Sequence, residues 1–207
     1  MNRALTYLGA GLGMALLAGQ FALSIPAFMA AGDSFGQAVV TFFSFFTILT
    51  NLAITLIYLG ALVTALPLAW TRRHATRTMM AAIMLLVMIV YHLLLAPIWD
   101  PQGLFRVADY GLHYGAPLVY AAWWATLPRD GARLPYSAAL AMIAPPLVYL
   151  AYALARGAVT GAYPYPFINA AEIGYANLAI NAIGISAVLI ALYLAAIAVD
   201  RRLAGTA

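Results

Sequence analysis

Six apolar stretches, each long enough to cross a bilayer and separated only by short polar loops, constrain this chain more than any other feature. A hydrocarbon core of roughly 30 Å takes about 20 residues of helix. Runs of that order occur at 4–29, 37–69, 79–98, 109–127, 136–155 and 171–199. In lipid every backbone amide and carbonyl must find a partner inside the protein, so such runs fold as helices. The expected fold is all-α: a polytopic membrane protein with six transmembrane helices in a single domain over 1–207. The first run follows Arg3 and ends near Ala30; it is too long for the apolar region of a signal peptide and is read as a span. Composition agrees, with 66% of residues hydrophobic and 8% charged, whereas a soluble domain is nearer half and a quarter. The net charge of +4 is no nucleic-acid signature, because the basic residues are all Arg and most lie in short loops. With no Cys in the chain, disulfide and thiolate chemistry are excluded.

The arginines also predict orientation. Arg3, Arg72, Arg73, Arg77, Arg129, Arg133, Arg201 and Arg202 fall on one side of the six spans, and only Arg106 and Arg156 on the other. The excess of positive charge on cytoplasmic loops then puts both termini in the cytoplasm and the 30–36, 99–108 and 156–170 loops outside an inner membrane. Trp70, Trp99, Tyr110, Trp123, Trp124 and Tyr163 fall near span ends, where interfacial aromatics sit. Gly9 and Gly13 form a GxxxG pair in the first span, and Gly174, Asn177, Asn181 and Gly184 share a face of the sixth; both read as helix contacts. Pro117, Pro145 and Pro146 interrupt spans four and five, and the carbonyls they free need other partners.

Against this apolar background the second span is conspicuous. It reads FFSFFTILTNLAITLIYL over 42–59, and at about 100° per residue Ser44, Thr47, Asn51 and Tyr58 share one stripe with Thr55 at its edge. The ionisable residues expected inside the membrane are His92, Asp109, His113 and Glu172, and such groups are costly enough to be functional candidates. Thr47 lies about 15 Å below the outer end of its span, at about 1.5 Å per residue. His113, His92 and Asn177 lie within about two turns of the same side. They are expected to converge in the outer half of the bilayer, around a pocket opening outward or into the outer leaflet. The cytoplasmic half offers nothing comparable, and His74 reads as an ordinary loop residue among arginines. Each residue alone also has a structural reading. Thr in a membrane helix bonds its own preceding carbonyl, Asn51, Asn177 and Asn181 glue helices, and Glu172 complements a helix start. Convergence favours a site.

A Thr hydroxyl becomes a useful nucleophile when a base removes its proton, and imidazole suits that task near neutral pH. Thr47 and His113 fill those roles. Asp109, four residues before His113, shares its helical face and is expected to fix the imidazole tautomer. Asn51, one turn below Thr47, is expected to donate to a developing oxyanion. Ser44, His92, Asn177, Asn181 and Glu172 are supporting or substrate-binding candidates. No metal or other cofactor is expected, since scattered His without Cys or paired carboxylates give no zinc spacing. Bis-His haem ligation by His92 and His113 is the metal-binding alternative. A small transporter, or a lipid- or ligand-binding membrane protein, is the rival class for the same pocket, although no inverted repeat is visible. A scaffold whose polar residues only join helices is the third.

SFFTILTNL in the second span, DYGLHYGAPLVY entering the fourth and YPYPFIN before the sixth give the chain a further resemblance. Together they resemble bacterial members of a six-span membrane family whose animal relatives are the androgen-induced and androgen-dependent TFPI-regulating proteins. The likeness covers nearly the whole chain in span number, orientation and motif order. It implies hydrolysis of fatty acid esters of hydroxy fatty acids by a Thr nucleophile and a His inside the membrane. Carried over by motif, the nucleophile falls on Thr47 in FFTILTN, with Thr50 as the alternative register, and the His falls on His113 in DYGLHYG. Asp109 follows from spacing and not from the family. The implied partners are a lipid or fatty acid ester substrate and the bilayer, and no nucleic acid.

Overall fold

A computed structural model describes residues 2–63, 65, 67–129 and 133–205. Thr64 and Leu66 of the predicted second span, and Asp130, Gly131 and Ala132 of the PRDGARLP loop, lie outside the described residues. Among the described residues the structure is helical throughout. Helix α1 (Arg3–Ala30) is capped by the Asn2 side chain, which accepts from the Leu5 amide. Gly32 takes φ 110°, and α2 (Phe35–Phe43) then opens with a reciprocal Ser34–Gln37 capping box. Helix α3 (Phe46–Leu62) follows at 74° to α2. Helix α4 (His74–Val90) runs into a π turn at Tyr91–Leu95. Helix α5 (Gly103–Tyr110), a second π turn (Gly111–Gly115) and α6 (Ala116–Ala125) are continuous. The short α7 (Ala138–Met142) leads into α8 (Ala144–Thr160), which opens on Pro145 and Pro146 in its first turn. The chain ends in α9 (Ala170–Ala204).

Four segments, α1, His74–Leu95, Ala138–Thr160 and α9, are long and apolar enough to cross a membrane, and the bent pair α2–α3 makes a fifth. These are the helices of a membrane-embedded protein. The fourth span, expected at 109–127, is not among them, because the helix found there, 103–125, has Arg106, Asp109 and His113 interrupting its apolar residues. The predicted second span is likewise not one helix. It breaks at Ser44–Phe45 and its last turn ends at Leu62.

Two contact systems hold the bundle: α1 against α3, and α4 against both α6 and α9. The predicted GxxxG pair works in the first. A Cβ on Gly9 would stand 2.2 Å from the Tyr58 ring, and one on Gly13 would stand 2.2 Å from Thr55 Oγ1. Glycine is therefore what lets α3 approach α1. Tyr58, Tyr120 and Trp123 pack edge to face behind that contact, joined in the core by Met80, Met84 and Tyr193.

Several expectations fail here for packing reasons. Trp123 and Trp124 are not interfacial: they are buried, and their indole N–H groups donate to Thr6 Oγ1 at 2.9 Å and Thr78 Oγ1 at 3.2 Å. The face Gly174, Asn177, Asn181 and Gly184 is not a helix contact. Gly174 is a kink with φ 75°, and among the described residues no atom beyond the local helix backbone stands within 4 Å of a Cβ built on Gly174 or Gly184. The end of the bundle opposite the loops 99–102 and 161–169 is not bare of buried charge either. Fully buried Asp200 on α9 accepts from Arg129 Nε at 3.0 Å and pairs with His74 Nε2 at 2.8 Å. Asp200 lies beyond the last predicted span boundary, so its burial depended on how α9 packs.

Candidate active site

The site begins with a helix break. Phe45 is extended at φ −81°, ψ 129°, so α3 starts afresh at Phe46 and Thr47 falls in its first turn. Broken backbone at membrane depth needs partners other than water, and tyrosines supply them. Tyr149 on α8 donates to the Ser44 carbonyl at 3.0 Å, and Tyr152 meets Ser44 Oγ at 2.8 Å while that hydroxyl donates to the Val40 carbonyl at 2.7 Å. Tyr165, from the loop before α9, accepts the Thr47 amide at 3.2 Å. Ser44 thus holds the break together instead of sharing a continuous stripe with Thr47.

His113 arrives from the other side on the second π turn. Its Nε2 lies 3.1 Å from Thr47 Oγ1. Its Nδ1 lies 2.9 Å from the Asp109 carbonyl and 3.2 Å from Asp109 Oδ1. Both neighbours of Nδ1 are acceptors, so Nδ1 carries the proton, and the bare lone pair on Nε2 faces the threonine hydroxyl. This is the tautomer a base needs. Tyr91 donates to Asp109 Oδ2 and stacks on the imidazole, ring centroids 4.0 Å apart, which fixes both carboxylate and ring. A π turn adds one residue to a helical turn and rotates the rest of the helix relative to it. Tyr91 and His113 each sit on one, facing each other.

Thr50 does not compete with Thr47. Its hydroxyl donates to the carbonyls of Phe46 at 2.9 Å and Thr47 at 3.1 Å on its own helix. Asn51 is not placed as an oxyanion donor. Its amide donates to Thr47 O at 2.8 Å and Leu112 O at 3.2 Å, so it ties the first turn of α3 to the π turn carrying His113. His92, next to Tyr91, turns outward and meets Tyr114 at 3.0 Å on the exposed side. Both nitrogens of His113 are engaged elsewhere, so the two imidazoles present no shared ligand position. Asn177 is exposed and bonds its own Ile173 carbonyl at 2.9 Å. Glu172 is exposed in the first turn of α9. Asn181 reaches the Phe167 carbonyl at 2.9 Å and anchors the loop that carries Tyr165.

Sequence reasoning missed Tyr91, Tyr149 and Tyr165. The first was hidden by its neighbour His92, because no residue pattern announces a π turn. The last had a signal in YPYPFIN: prolines on both sides of Tyr165 fix the local backbone. Its ring stacks on Phe167 at 5.1 Å and meets Phe45 edge-on at 5.7 Å. Its hydroxyl lies 3.4 Å from Thr47 Oγ1. Burial pushes the Tyr165 phenol above its ordinary pKa, so it remains a neutral donor.

Thr47, Tyr91, Leu95, His113 and Tyr165 line both of two neighbouring cavities. One, of about 110 Å³, is walled by apolar residues from α4, α8 and α9, among them Leu86, Leu147 and Ile185. The other, of about 620 Å³, lies under α1, α2 and α5 and includes Gln20, Ser24, Gln102 and Asp109. The Met-rich face of α4 packs into the core through Met80 and Met84. Neither protein-family models, nor curated proteins, nor solved structures provide a match to the chain.

Proposed function

We propose that the protein is an intramembrane lipid-ester hydrolase with Thr47 as nucleophile, His113 as base and Asp109 as the orienting carboxylate. It would be a bacterial relative of the androgen-induced and androgen-dependent TFPI-regulating proteins. The single observation that carries this reading is the chain of contacts from Thr47 Oγ1 to His113 Nε2 at 3.1 Å and from His113 Nδ1 to Asp109 Oδ1 at 3.2 Å, beside two cavities lined mainly by apolar residues. In this reading His113 Nε2 takes the hydroxyl proton as Thr47 Oγ1 bonds to the ester carbon. The tetrahedral oxyanion forms at the positive end of α3. There Tyr165, which accepts the Thr47 amide, keeps its own proton to donate. Collapse breaks the bond to the alcohol oxygen, which leaves with the proton from His113. Water then gives a proton to His113 and its oxygen to the acyl carbon. Thr47 recovers its proton and the fatty acid departs.

The finer topology belongs to the same reading: six spans, with 109–127 as the fourth, and both termini on the cytoplasmic side of an inner membrane. Eight arginines against two support it. So does the site itself, since a polar helix is tolerated where it lines a cavity and its charges are paired. A chain without Cys suits a topology test: single Cys residues introduced at Gln102 and Thr76 should label from outside and inside respectively.

The chemical test is fluorophosphonate labelling of detergent-purified protein with mass mapping of the modified peptide. Modification at Thr47, lost in His113→Ala, is expected, as is loss of esterase turnover in Thr47→Ala and His113→Ala proteins that remain folded. Full activity in either variant would sink the dyad. Absence of labelling in a folded protein, together with substrate-driven uptake into vesicles, would move the assignment to a transporter or lipid-binding protein using the same cavities.

A further inference from the structure

We propose that the larger cavity is an aqueous vestibule, and that the water which releases the fatty acid reaches Thr47 through it. This deepens the hydrolase reading and rests on it. Ser24, Ala27 and Phe28 line the cavity from α1, and Gln102, Phe105 and Asp109 line it along α5, at the spacing of a single helix face. One end of this trough lies in water. Trp99 is 55% exposed there and Gln102 is exposed beside it. Next to them Asp100 pairs with Arg106 at 2.9 Å and accepts from Gln102 Nε2 at 2.8 Å. The Asp100 side chain is 79% exposed, and an ion pair so open belongs to the aqueous boundary, not to hydrocarbon.

The other end is the reaction centre, since Thr47, His113 and Tyr165 line the same cavity. Seven residues of helix separate Gln102 from Asp109, about 10 Å at about 1.5 Å per residue, and His113 follows one turn further. Polar groups accompany that path: the Gln102 amide at the mouth, the Ser24 hydroxyl on the α1 wall, the Asp109 carboxylate beside the imidazole. A volume of about 620 Å³ holds a chain of waters at about 30 Å³ each. The smaller cavity is the poorer route. It is walled by α8 and α9, both of them spanning segments. Among the described residues Ser186 is the one polar side chain it adds to those of Thr47, His113 and the site's tyrosines, and water needs two or more polar partners to settle. With the acyl group on Thr47 Oγ1, water arriving through the vestibule gives a proton to His113 Nε2 as its oxygen bonds to the acyl carbon. The bond from that carbon to Oγ1 then breaks, Oγ1 takes the proton from His113, and the free acid leaves. Acylation consumes no water and deacylation does, so closing the vestibule should slow the second step and spare the first.

The test uses the full-length chain in nanodiscs, whose two faces are both open to solution, with a single thiol introduced by Ser24→Cys or, nearer the exposed rim, Ala27→Cys. The chain has no Cys of its own, so each thiol is unique. A charged, membrane-impermeant methanethiosulfonate is expected to label both proteins and to spare a Ser186→Cys control in the smaller cavity. With 4-methylumbelliferyl oleate as substrate, each labelled protein should release its first fluorophore at the rate seen before labelling. Later turnovers should slow by about tenfold or more, with acyl-Thr47 accumulating in the mass-mapped peptide, and dithiothreitol should restore the rate. The block is set on a folded protein and removed again, so a folding defect does not imitate it. A Ser24→Cys thiol that the reagent does not reach, turnover unchanged by the label, or equally fast labelling of Ser186→Cys each overturns the vestibule as the water route. Slowing of the first release along with the rest gives the cavity to the ester and overturns it too. In all of these the acyl-Thr47 peptide still speaks for the hydrolase. If no version of the protein forms that peptide, the hydrolase reading falls and this inference with it.

Discussion

The bundle buries polar clusters at both ends, and they differ in what is left over. At Asp200, both carboxylate oxygens are taken, one by Arg129 and one by His74. The Arg129 guanidinium also donates to the carbonyls of Trp124, Ala125 and Leu127, which closes the C-terminal end of α6. Nothing there is unfilled, and the cluster joins α4, α6 and α9. At Thr47 the contacts form a directional chain ending in a hydroxyl that faces empty volume on both sides. Buried polarity alone does not mark a reaction centre. A saturated cluster holds helices, whereas one that stops at a hydroxyl beside a cavity leaves that hydroxyl free to meet a ligand.

That contrast is easily broken by measurement. The largest effect is expected on turnover, with Thr47→Ala and His113→Ala losing ester cleavage altogether while their thermal unfolding in detergent shifts by less than about 1 kcal/mol. Asp200→Asn should behave in reverse. Leaving Arg129 buried without its partner costs about 3–5 kcal/mol, read as a large drop in melting temperature, with fluorophosphonate labelling retained in whatever protein stays folded. An Asp200→Asn protein as stable as the parent would show that the two ends are not different in kind. Gly13→Leu comes next: a side chain forced against Thr55 should cost about 1–3 kcal/mol and lower the melting temperature. Asp109→Asn is expected to slow turnover by about ten- to a hundredfold, less than the roughly ten-thousandfold typical of losing a triad carboxylate. The Asp109 backbone carbonyl, 2.9 Å from Nδ1, still holds the imidazole tautomer in that variant. Turnover unchanged in Asp109→Asn would assign orientation to the backbone alone. Smallest of all, Thr50→Ala and His92→Ala should leave kcat/KM within about threefold, since neither side chain reaches the cavity wall.

The local pattern of residues was enough to single out Thr47 and His113, whose side chains meet at 3.1 Å, because a hydroxyl and an imidazole in apolar surroundings stand out whatever the exact helix phase. Helix phase was not enough for their neighbours. The even 100° spacing that joined Ser44 to Thr47 fails at the Phe45 break. The same spacing put His92 where Tyr91 is, because the π turn at Tyr91–Leu95 rotates the helix. Asn51 was read as a donor to substrate. Its amide is spent on the carbonyls of Thr47 and Leu112, a contact 61 positions apart that only packing creates.

The sequence by itself determined an all-helical, membrane-embedded chain, since long apolar runs in lipid have no other way to satisfy their backbone. It also marked a close helix contact on α1, because Gly9 and Gly13 leave no side chain in the way, though only packing made α3 the partner. Only the tertiary structure decided the break at Phe45, the two π turns and the seat of Tyr165. Each places polar backbone inside the bundle, and each depends on hydroxyls and amides brought from distant helices: Tyr149 from α8, Tyr165 from the last loop, Asn51 across to Leu112. Local propensity favours an unbroken helix at all three places, and long-range hydrogen bonds in a dry interior outweigh it.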